Sequence, residues 1–345
     1  MTKKTDQEKK KLKVITQQEL ENWLTGLITK STLVAPVSTE KKVVYRKITD
    51  SSQIEWDFTR TDMSPKTWLL PMTESILTIL QGVKTTMVDP PAPRELVLFG
   101  VRPCDARAFQ VLDALYVGKN PVDPQFDLHR KALTIIGLSC PQMWDSCFCT
   151  VVGGAPDGTD GLDILLTKID GEYAVQILTE KGKRITAELP MKDKEIVLQK
   201  PELKANLPIL QKTDEWNKLF NETFWKQLSD SCISCRVCSF VCPTCRCFDV
   251  RDELTILKPG LKEFTRLRAW DTCTASTYRR AAGGHNPRDT QEKKLRNRFY
   301  CKFVYYPDDF GPMGCVGCGR CIDACPARID ILEVIAKVEQ MTEKA

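Results

Sequence analysis

The strongest constraint on this chain is one cysteine spacing that occurs twice near its C-terminus. In each copy, three cysteines separated by two residues precede a fourth after a gap of three, and a proline follows directly. The first copy is Cys232, Cys235, Cys238 and Cys242 with Pro243, and the second is Cys315, Cys318, Cys321 and Cys325 with Pro326. This is the spacing of bacterial ferredoxins, in which the fourth cysteine binds the neighbouring cluster. We therefore expect two [4Fe–4S] clusters and a role in electron transfer.

Because the fourth cysteine of each motif binds the cluster of the other motif, the eight sulfurs divide into two sites. One predicted cluster is bound by Cys232, Cys235, Cys238 and Cys325, and the other by Cys315, Cys318, Cys321 and Cys242. Four thiolates can also bind zinc, but structural zinc sites are typically built from paired C-x2-C knuckles. Triple runs that end in Cys-Pro therefore favour iron–sulfur clusters.

The balance of charges and the apolar pattern exclude several classes of protein. The 345 residues include 50 basic and 45 acidic side chains, and a net charge of +5 is too balanced to indicate nucleic-acid binding. No apolar run approaches the roughly 20 residues that span a membrane, and the basic N-terminus lacks the apolar core of a secretory signal. Sixteen cysteines then indicate metal or redox chemistry in a reducing cytoplasm, not a disulfide framework.

The N-terminal half has the pattern of an α/β fold. Apolar runs at 95–101 and 132–138 predict buried strands, and the periodicity of 106–116 predicts a helix between them. This order is typical of a βαβ unit with parallel strands. Two further strands, 162–167 and 173–178, flank an Asp-Gly turn and predict a hairpin.

The C-terminal half predicts a separate, helical domain. A proline-containing linker near 200–208 divides the chain into an α/β domain at 1–205 and a second domain at 206–345. An apolar stripe predicts one amphipathic helix at 213–229, and the interval between the two cysteine motifs is charged and helix-compatible. We therefore expect an α-helical ferredoxin-like domain that binds both clusters.

Four of the remaining cysteines predict a third site. Cys104 and Cys140 fall just after the two predicted strands, and Cys147 and Cys149 lie in the following loop. Because the carboxyl ends of parallel strands share one edge of a sheet, these four thiols could meet and bind a third cluster. The alternative is that they are small buried apolar residues, a common fate of cysteine. The irregular spacing leaves both interpretations open.

The last four cysteines, Cys245, Cys247, Cys273 and Cys301, have no regular spacing. Cys245 and Cys247 follow the first motif closely and could tune a cluster, bind another centre or act as reactive thiols. Packing beside the clusters is the favoured interpretation, because Cys273 and Cys301 are isolated in sequence.

Three other features carry weaker signals. The glycine-rich stretch 152–161 matches neither nucleotide-binding signature, so it predicts a turn-rich loop and places any flavin or nicotinamide on a partner chain. His285 follows two glycines in a predicted loop, where a structural or exposed role is favoured over a hydrogen bond to a cluster. The basic run 293–298 predicts a solvated helix face, with a docking surface for an acidic partner as the second interpretation.

Several segments of the chain resemble one iron–sulfur family. They are GVRPCDARAF at 100–109, SCFCTVVGGAPDGTDGLDILLT at 146–167, RAWDTC at 268–273, GGHNPR at 283–288 and GCVGCGRCIDACP at 314–326. They resemble the β subunits of NADP-linked [NiFe] sulfhydrogenases and the iron–sulfur subunit of anaerobic sulfite reductase, and MSPKTWLLPMTES at 63–75 leans toward the latter. The resemblance implies a non-catalytic cytoplasmic subunit that carries electrons between an FAD- and NAD(P)-binding reductase subunit and a catalytic subunit of sulfite reductase or hydrogenase type.

Two other functions remain as alternatives. The chain could itself be a cluster-containing sulfur or disulfide reductase that uses Cys245 and Cys247 as catalytic thiols. It could also be a zinc-stabilised scaffold without redox activity. The colour of the purified protein separates the scaffold from the other two, since iron–sulfur proteins are brown.

Overall fold

The computed structural model describes residues 9–198 and 214–342. Its strands are β1 (Lys9–Thr16), β2 (Thr32–Ser38), β3 (Val43–Lys47), β4 (Thr73–Gln81), β5 (Thr85–Val88), β6 (Leu96–Val101), β7 (Leu133–Leu138), β8 (Ile164–Ile169), β9 (Glu172–Ile177), β10 (Lys192–Val197), β11 (Phe248–Lys258) and β12 (Leu261–Trp270). Its α-helices are α1 (Gln17–Lys30), α2 (Pro103–Tyr116), α3 (Pro124–Ala132), α4 (Glu180–Ile185), α5 (Phe224–Asp230), α6 (Val237–Phe240), α7 (Gln291–Tyr300), α8 (Tyr306–Phe310), α9 (Arg320–Asp323) and α10 (Ile331–Thr342).

The larger of two sheets has eight strands in the order β10-β1-β9-β8-β7-β6-β2-β3. Its centre is parallel, because β2 pairs with β6, β6 with β7, and β7 with β8. Helix α1 covers one face through Leu20, Leu24 and Leu27, and α2 covers the other through Phe109 and Leu112. Strands buried on both faces are continuous apolar runs. The predicted strand–helix–strand order and the β8–β9 hairpin are confirmed.

The interval between the two cysteine motifs differs from the prediction. Strands β11 and β12 form a long antiparallel hairpin there, and helical structure resumes at α7. The hairpin turns at Pro259-Gly260, where Gly260 has a φ of +76° that glycine adopts readily. The charged residues of β11 lie on an exposed strand and not on a helix. The prediction of an α-helical dicluster domain is therefore wrong for this interval.

The second sheet joins the two predicted domains. Its order is β11-β12-β4-β5, and β12 pairs along its length with β4 of the N-terminal half. The predicted linker at 200–208 and the boundary between 1–205 and 206–345 lie outside the described residues, so the division stays a prediction. Within 9–198 and 214–342, no helix combines the length and apolar character needed to cross a lipid bilayer.

The predicted helix at 213–229 consists of two shorter pieces in its described part, which begins at residue 214. A 3-10 helix, Asp214–Leu219, precedes α5. The indole N–H of Trp225 donates to the carbonyl of Leu219 at 2.8 Å. This hydrogen bond satisfies the carbonyl at the C-terminal end of the 3-10 helix. The predicted apolar stripe nevertheless packs into one cluster with α7, where Trp216 contacts Tyr300. Trp225, which was not part of the predicted stripe, is buried against the same ring.

Candidate iron–sulfur sites

The two cysteine motifs fold into loops of the same backbone conformation. In the first loop Ser234 and Arg236 have φ values of +56° and +67°, and in the second Gly317 and Gly319 have +65° and +74°. These pairs lie at equivalent positions, two and four residues after the first cysteine of each motif. Each loop then enters a four-residue helix, α6 or α9. The sequence repeat is therefore a structural repeat, although only the second copy uses glycine for the left-handed positions.

The first site, called site A, consists of Cys232, Cys235, Cys238 and Cys325. These four cysteines line one cavity, which is walled by apolar side chains that include Leu295, Phe299 and Ile331. Two sulfurs accept backbone hydrogen bonds, from the Ser234 N–H to Cys232 at 3.4 Å and from the Ile329 N–H to Cys325 at 3.3 Å. Thiol groups around an apolar cavity, with N–H groups directed at sulfur, fit a cluster with four thiolate ligands.

The second site, called site B, consists of Cys242, Cys315, Cys318 and Cys321. Cys242, Cys315 and Cys318 are buried. Burial raises the pKa of Cys321, and the nearby Cys242, Cys318 and Cys315 raise it further. The grouping of these four cysteines as ligands of one cluster stays a prediction. Cys321 also lines the cavity of site A, so the two sites are neighbours.

Two buried cations lie against these sites. The Lys302 ammonium donates to the Cys242 sulfur at 3.3 Å, and it bonds Thr244 Oγ1 and the Gly314 carbonyl at 3.1 and 3.0 Å. Burial opposes a charge on Lys302, yet the nearby Cys242 and Cys245 sulfurs raise its pKa. Lys302 lies on a π-helical segment, Cys301–Tyr305, a distortion that is frequent at functional sites. This residue was not predicted from the sequence.

Arg298 faces sites A and B together. Burial opposes its charge, whereas Cys238 of site A and Cys321 of site B raise the pKa of the guanidinium. Within the described residues its buried Nη2 has no hydrogen-bond partner, and the inorganic sulfide of a cluster would supply an acceptor. The prediction that 293–298 is a solvated face is wrong at its C-terminal end, because Arg296 and Arg298 are buried.

Four further cysteines meet at the edge of the larger sheet. Cys104, Cys140, Cys147 and Cys149, called site C, line one cavity. Cys104 lies in the first turn of α2 after β6, and Cys140 follows β7, so the carboxyl ends of two parallel strands bring them together. Burial raises the pKa of Cys140 to about 11 and that of Cys149 to about 12. Their role as ligands stays a prediction.

Sites B and C are in direct contact. The Cys147 thiol donates to the Cys318 carbonyl at 3.6 Å, and the Phe148 N–H donates to the Gly317 carbonyl at 2.8 Å. The Arg60 guanidinium donates to the same Cys318 carbonyl at 2.5 Å and lines the cavity of site C. Site B therefore adjoins both site A and site C, and these three neighbouring sites are called the row.

Lys66 is a second residue that was not predicted from the sequence. Its buried ammonium donates to the carbonyls of Cys242 and Cys245 at 3.0 and 2.7 Å and lies 3.7 Å from the centre of the Trp270 ring. Burial lowers the pKa of Lys66 to about 8. The lysine fixes the chain that leaves the first motif, so it positions the fourth cysteine of that motif.

The remaining predicted residues are distributed around this row. The Cys245 sulfur accepts a hydrogen bond from the Arg298 guanidinium at 3.8 Å, whereas Cys247, Cys273 and Cys301 line a separate cavity. His285 is exposed. Among residues 9–198 and 214–342, no group of three or more His, Cys, Asp or Glu side chains is arranged to hold a single metal ion.

Comparisons with known proteins support the presence of iron–sulfur clusters. Residues 231–329 match the model of the 4Fe-4S dicluster domain family. The chain is 32% identical over 320 residues to sulfhydrogenase 2 subunit beta of Pyrococcus furiosus, a match that covers 88% of this chain and 91% of the relative. No solved structure matches the chain. This is an iron–sulfur protein, and it belongs to the family of the sulfhydrogenase β subunit.

Proposed function

We propose that the chain is the electron-transfer subunit of a cytoplasmic multisubunit oxidoreductase. It relays electrons between an FAD- and NAD(P)-binding reductase subunit and a catalytic subunit of sulfite reductase or [NiFe] sulfhydrogenase type. The observation that carries the proposal is the contiguous row of sites A, B and C, in which Cys321 borders site A and the Cys318 carbonyl bonds Cys147 of site C. A row of neighbouring redox sites is what a relay requires.

The residues of this row would bind [4Fe–4S] clusters, two at sites A and B and a third at site C. Such clusters supply one-electron transfer, which lets one protein connect a two-electron flavin with a catalytic centre that accepts single electrons. The protein contributes thiolates, exclusion of water and buried cations. Lys302 and Arg298 offset the negative charge of the thiolates, and backbone N–H groups at Cys232 and Cys325 stabilise added electron density on sulfur.

The relative's name supports the assignment of partners. A β subunit is part of a larger assembly, and we infer that this chain likewise functions with at least one reductase chain and one catalytic chain. The sequence contains no nucleotide-binding signature, which is consistent with a flavin and nicotinamide site on the reductase chain.

The test is to purify the complex without oxygen from cells that carry a tagged copy of this chain. Cys232→Ala and Cys315→Ala should each lower the iron content by about four atoms per chain and stop electron flow from NAD(P)H to the terminal acceptor. The reductase subunit should stay bound with its flavin. Cys301→Ala is the matched control and should retain all iron. Normal iron content in the first two variants would contradict the proposal.

A further inference from the structure

One large cavity lies outside the relay and contains cysteines. It has a volume of about 750 Å³ and lies between the base of the β11–β12 hairpin and the segment from α7 to α8. Three cysteines outside sites A, B and C line it, namely Cys247, Cys273 and Cys301. A cavity of this size is in the range of small-molecule binding sites.

Two of these thiols are held side by side by the hairpin. The last strand pair, Phe248 with Trp270, places the two chain segments next to each other, and the Asp271 N–H donates to the Cys247 carbonyl at 2.9 Å. Cys247 and Cys273 both line the cavity at this end of the hairpin. The neighbouring Cys273 thiol, with a smaller effect from Tyr278, lowers the pKa of Cys247 to about 6, which favours the nucleophilic thiolate.

The walls of the cavity carry an excess of positive charge. Four guanidinium groups and two carboxylates line it, from Arg246, Arg279, Arg280, Arg288, Asp249 and Asp271. Arginine binds carboxylate and other anionic groups with paired hydrogen bonds. The charge of the walls therefore favours a ligand with negative groups.

We propose that this cavity binds a small anionic disulfide and that Cys247 and Cys273 reduce it by thiol–disulfide exchange. The Cys247 thiolate attacks one sulfur of the disulfide R–S–S–R, which forms a Cys247–S–S–R bond and releases RS⁻. The Cys273 thiol loses its proton and attacks the Cys247 sulfur, which forms the Cys247–Cys273 disulfide and releases the second product as RSH. The first RS⁻ takes a proton from water, so the substrate has gained two electrons and two protons.

The cysteine pair is restored by two electrons and one proton, which yield one thiolate and one thiol. A one-electron iron–sulfur donor supplies these electrons in two successive steps, and in this respect the inference rests on the proposed function. Cys245 and Arg246 connect the two regions, because the Cys245 sulfur accepts from Arg298 beside site B at 3.8 Å and Arg246 donates to the Cys301 sulfur at 3.5 Å. The reducible pair is thus separated from site B by only a short stretch of chain.

The experiment traps the mixed disulfide on the full-length chain, purified without oxygen. The probe is 3,3′-dithiodipropionate, a dianionic disulfide, and the products are identified by mass spectrometry of peptides after acid quenching and alkylation. Wild-type protein should form the Cys247–Cys273 disulfide. Cys273→Ser should accumulate the adduct on Cys247, whereas Cys247→Ser should lower total adduct formation at this pair by at least about 100-fold. Equal labelling of Cys247 and Cys273 in the two single variants would overturn the proposal.

Iron analysis of the same samples separates this inference from the proposed function. Both serine variants should keep the wild-type iron content, and a loss of about four iron atoms would show that the pair binds a cluster and would overturn the inference. Wild-type protein without iron would instead refute the relay, whereas trapping of the adduct would still support the thiol chemistry.

The preference for an anion has its own test. Arg280→Gln should slow the reaction with 3,3′-dithiodipropionate about tenfold and leave the reaction with uncharged 2-hydroxyethyl disulfide within about twofold. The two disulfides are similar in size, so the comparison isolates the charge. Equal slowing of both probes, or of neither, would overturn the assignment to an anionic substrate.

Discussion

Arg320 and Asp105 form a bidentate ion pair that is buried in the protein. The two guanidinium nitrogens lie 2.6 and 2.7 Å from the two carboxylate oxygens, and Arg320 also donates to the Thr61 carbonyl at 2.8 Å. Arg320 begins α9 within the second cysteine motif, and Asp105 follows Cys104 in the first turn of α2. The pair therefore fixes the position of site B relative to site C.

The first prediction concerns this ion pair. Asp105→Asn leaves the Arg320 charge buried without compensation, and removal of one partner from a buried pair costs about 3–5 kcal/mol. The control is Asp57→Asn, which removes an ion pair with Lys168 whose side chains are 84% and 50% exposed, and it should cost at most about 1 kcal/mol. Urea unfolding, followed by circular dichroism, measures both. Equal shifts of the two midpoints would contradict the structural role of the pair.

The local parts of this architecture could be predicted from the sequence. The βαβ order follows from apolar runs and helical periodicity, and the eight motif cysteines follow from a spacing that depends only on nearby residues. The hairpin between the motifs was missed because its charged residues suit an exposed helix as well as an exposed strand. The Pro259-Gly260 turn was the available signal for it.

The buried cations could not be predicted in the same way. Lys66 reaches Cys242 from a distant part of the chain, and Lys302 reaches it from a π-helical segment that has no known sequence signature here. In a sequence, an isolated lysine indicates a solvated side chain, since lysine is rarely buried without a partner. Only the folded chain shows that thiol groups and carbonyls provide those partners.

The second prediction concerns the number of clusters. If site C binds a cluster, the wild-type chain contains about twelve iron atoms, and Cys140→Ser lowers that number to about eight without loss of the two C-terminal clusters. Iron and acid-labile sulfide analysis gives the count, and electron paramagnetic resonance of the reduced protein gives the number of interacting clusters. About eight iron atoms in both proteins would show that site C holds none.

The third prediction concerns Lys302. A charge-assisted hydrogen bond to a buried thiolate contributes about 1.5–3 kcal/mol, and it favours the reduced, more negative state of the site. For one electron, 1.4 kcal/mol corresponds to about 59 mV. Lys302→Met should therefore lower the reduction potential of the cluster at site B by about 60–130 mV. Lys337→Met removes an exposed lysine of α10 and serves as the control. Potentiometric titration followed by electron paramagnetic resonance measures both variants, and an unchanged potential in Lys302→Met would exclude this role.

The fourth prediction concerns Gly317, where the loops of sites B and C touch. A Cβ at this position would lie 2.6 Å from the Cys149 backbone and 2.5 Å from the Phe148 carbonyl, and the φ of +65° disfavours side chains. Gly317→Ala should therefore push the two loops apart and reduce the iron content. Gly260→Ala is the matched control, because Gly260 has a φ of +76° but no atom within 4 Å of the added Cβ. It should cost only about 1–2 kcal/mol of backbone strain and keep all iron. The same iron content in both variants would show that the contact between the loops is not needed to hold the clusters.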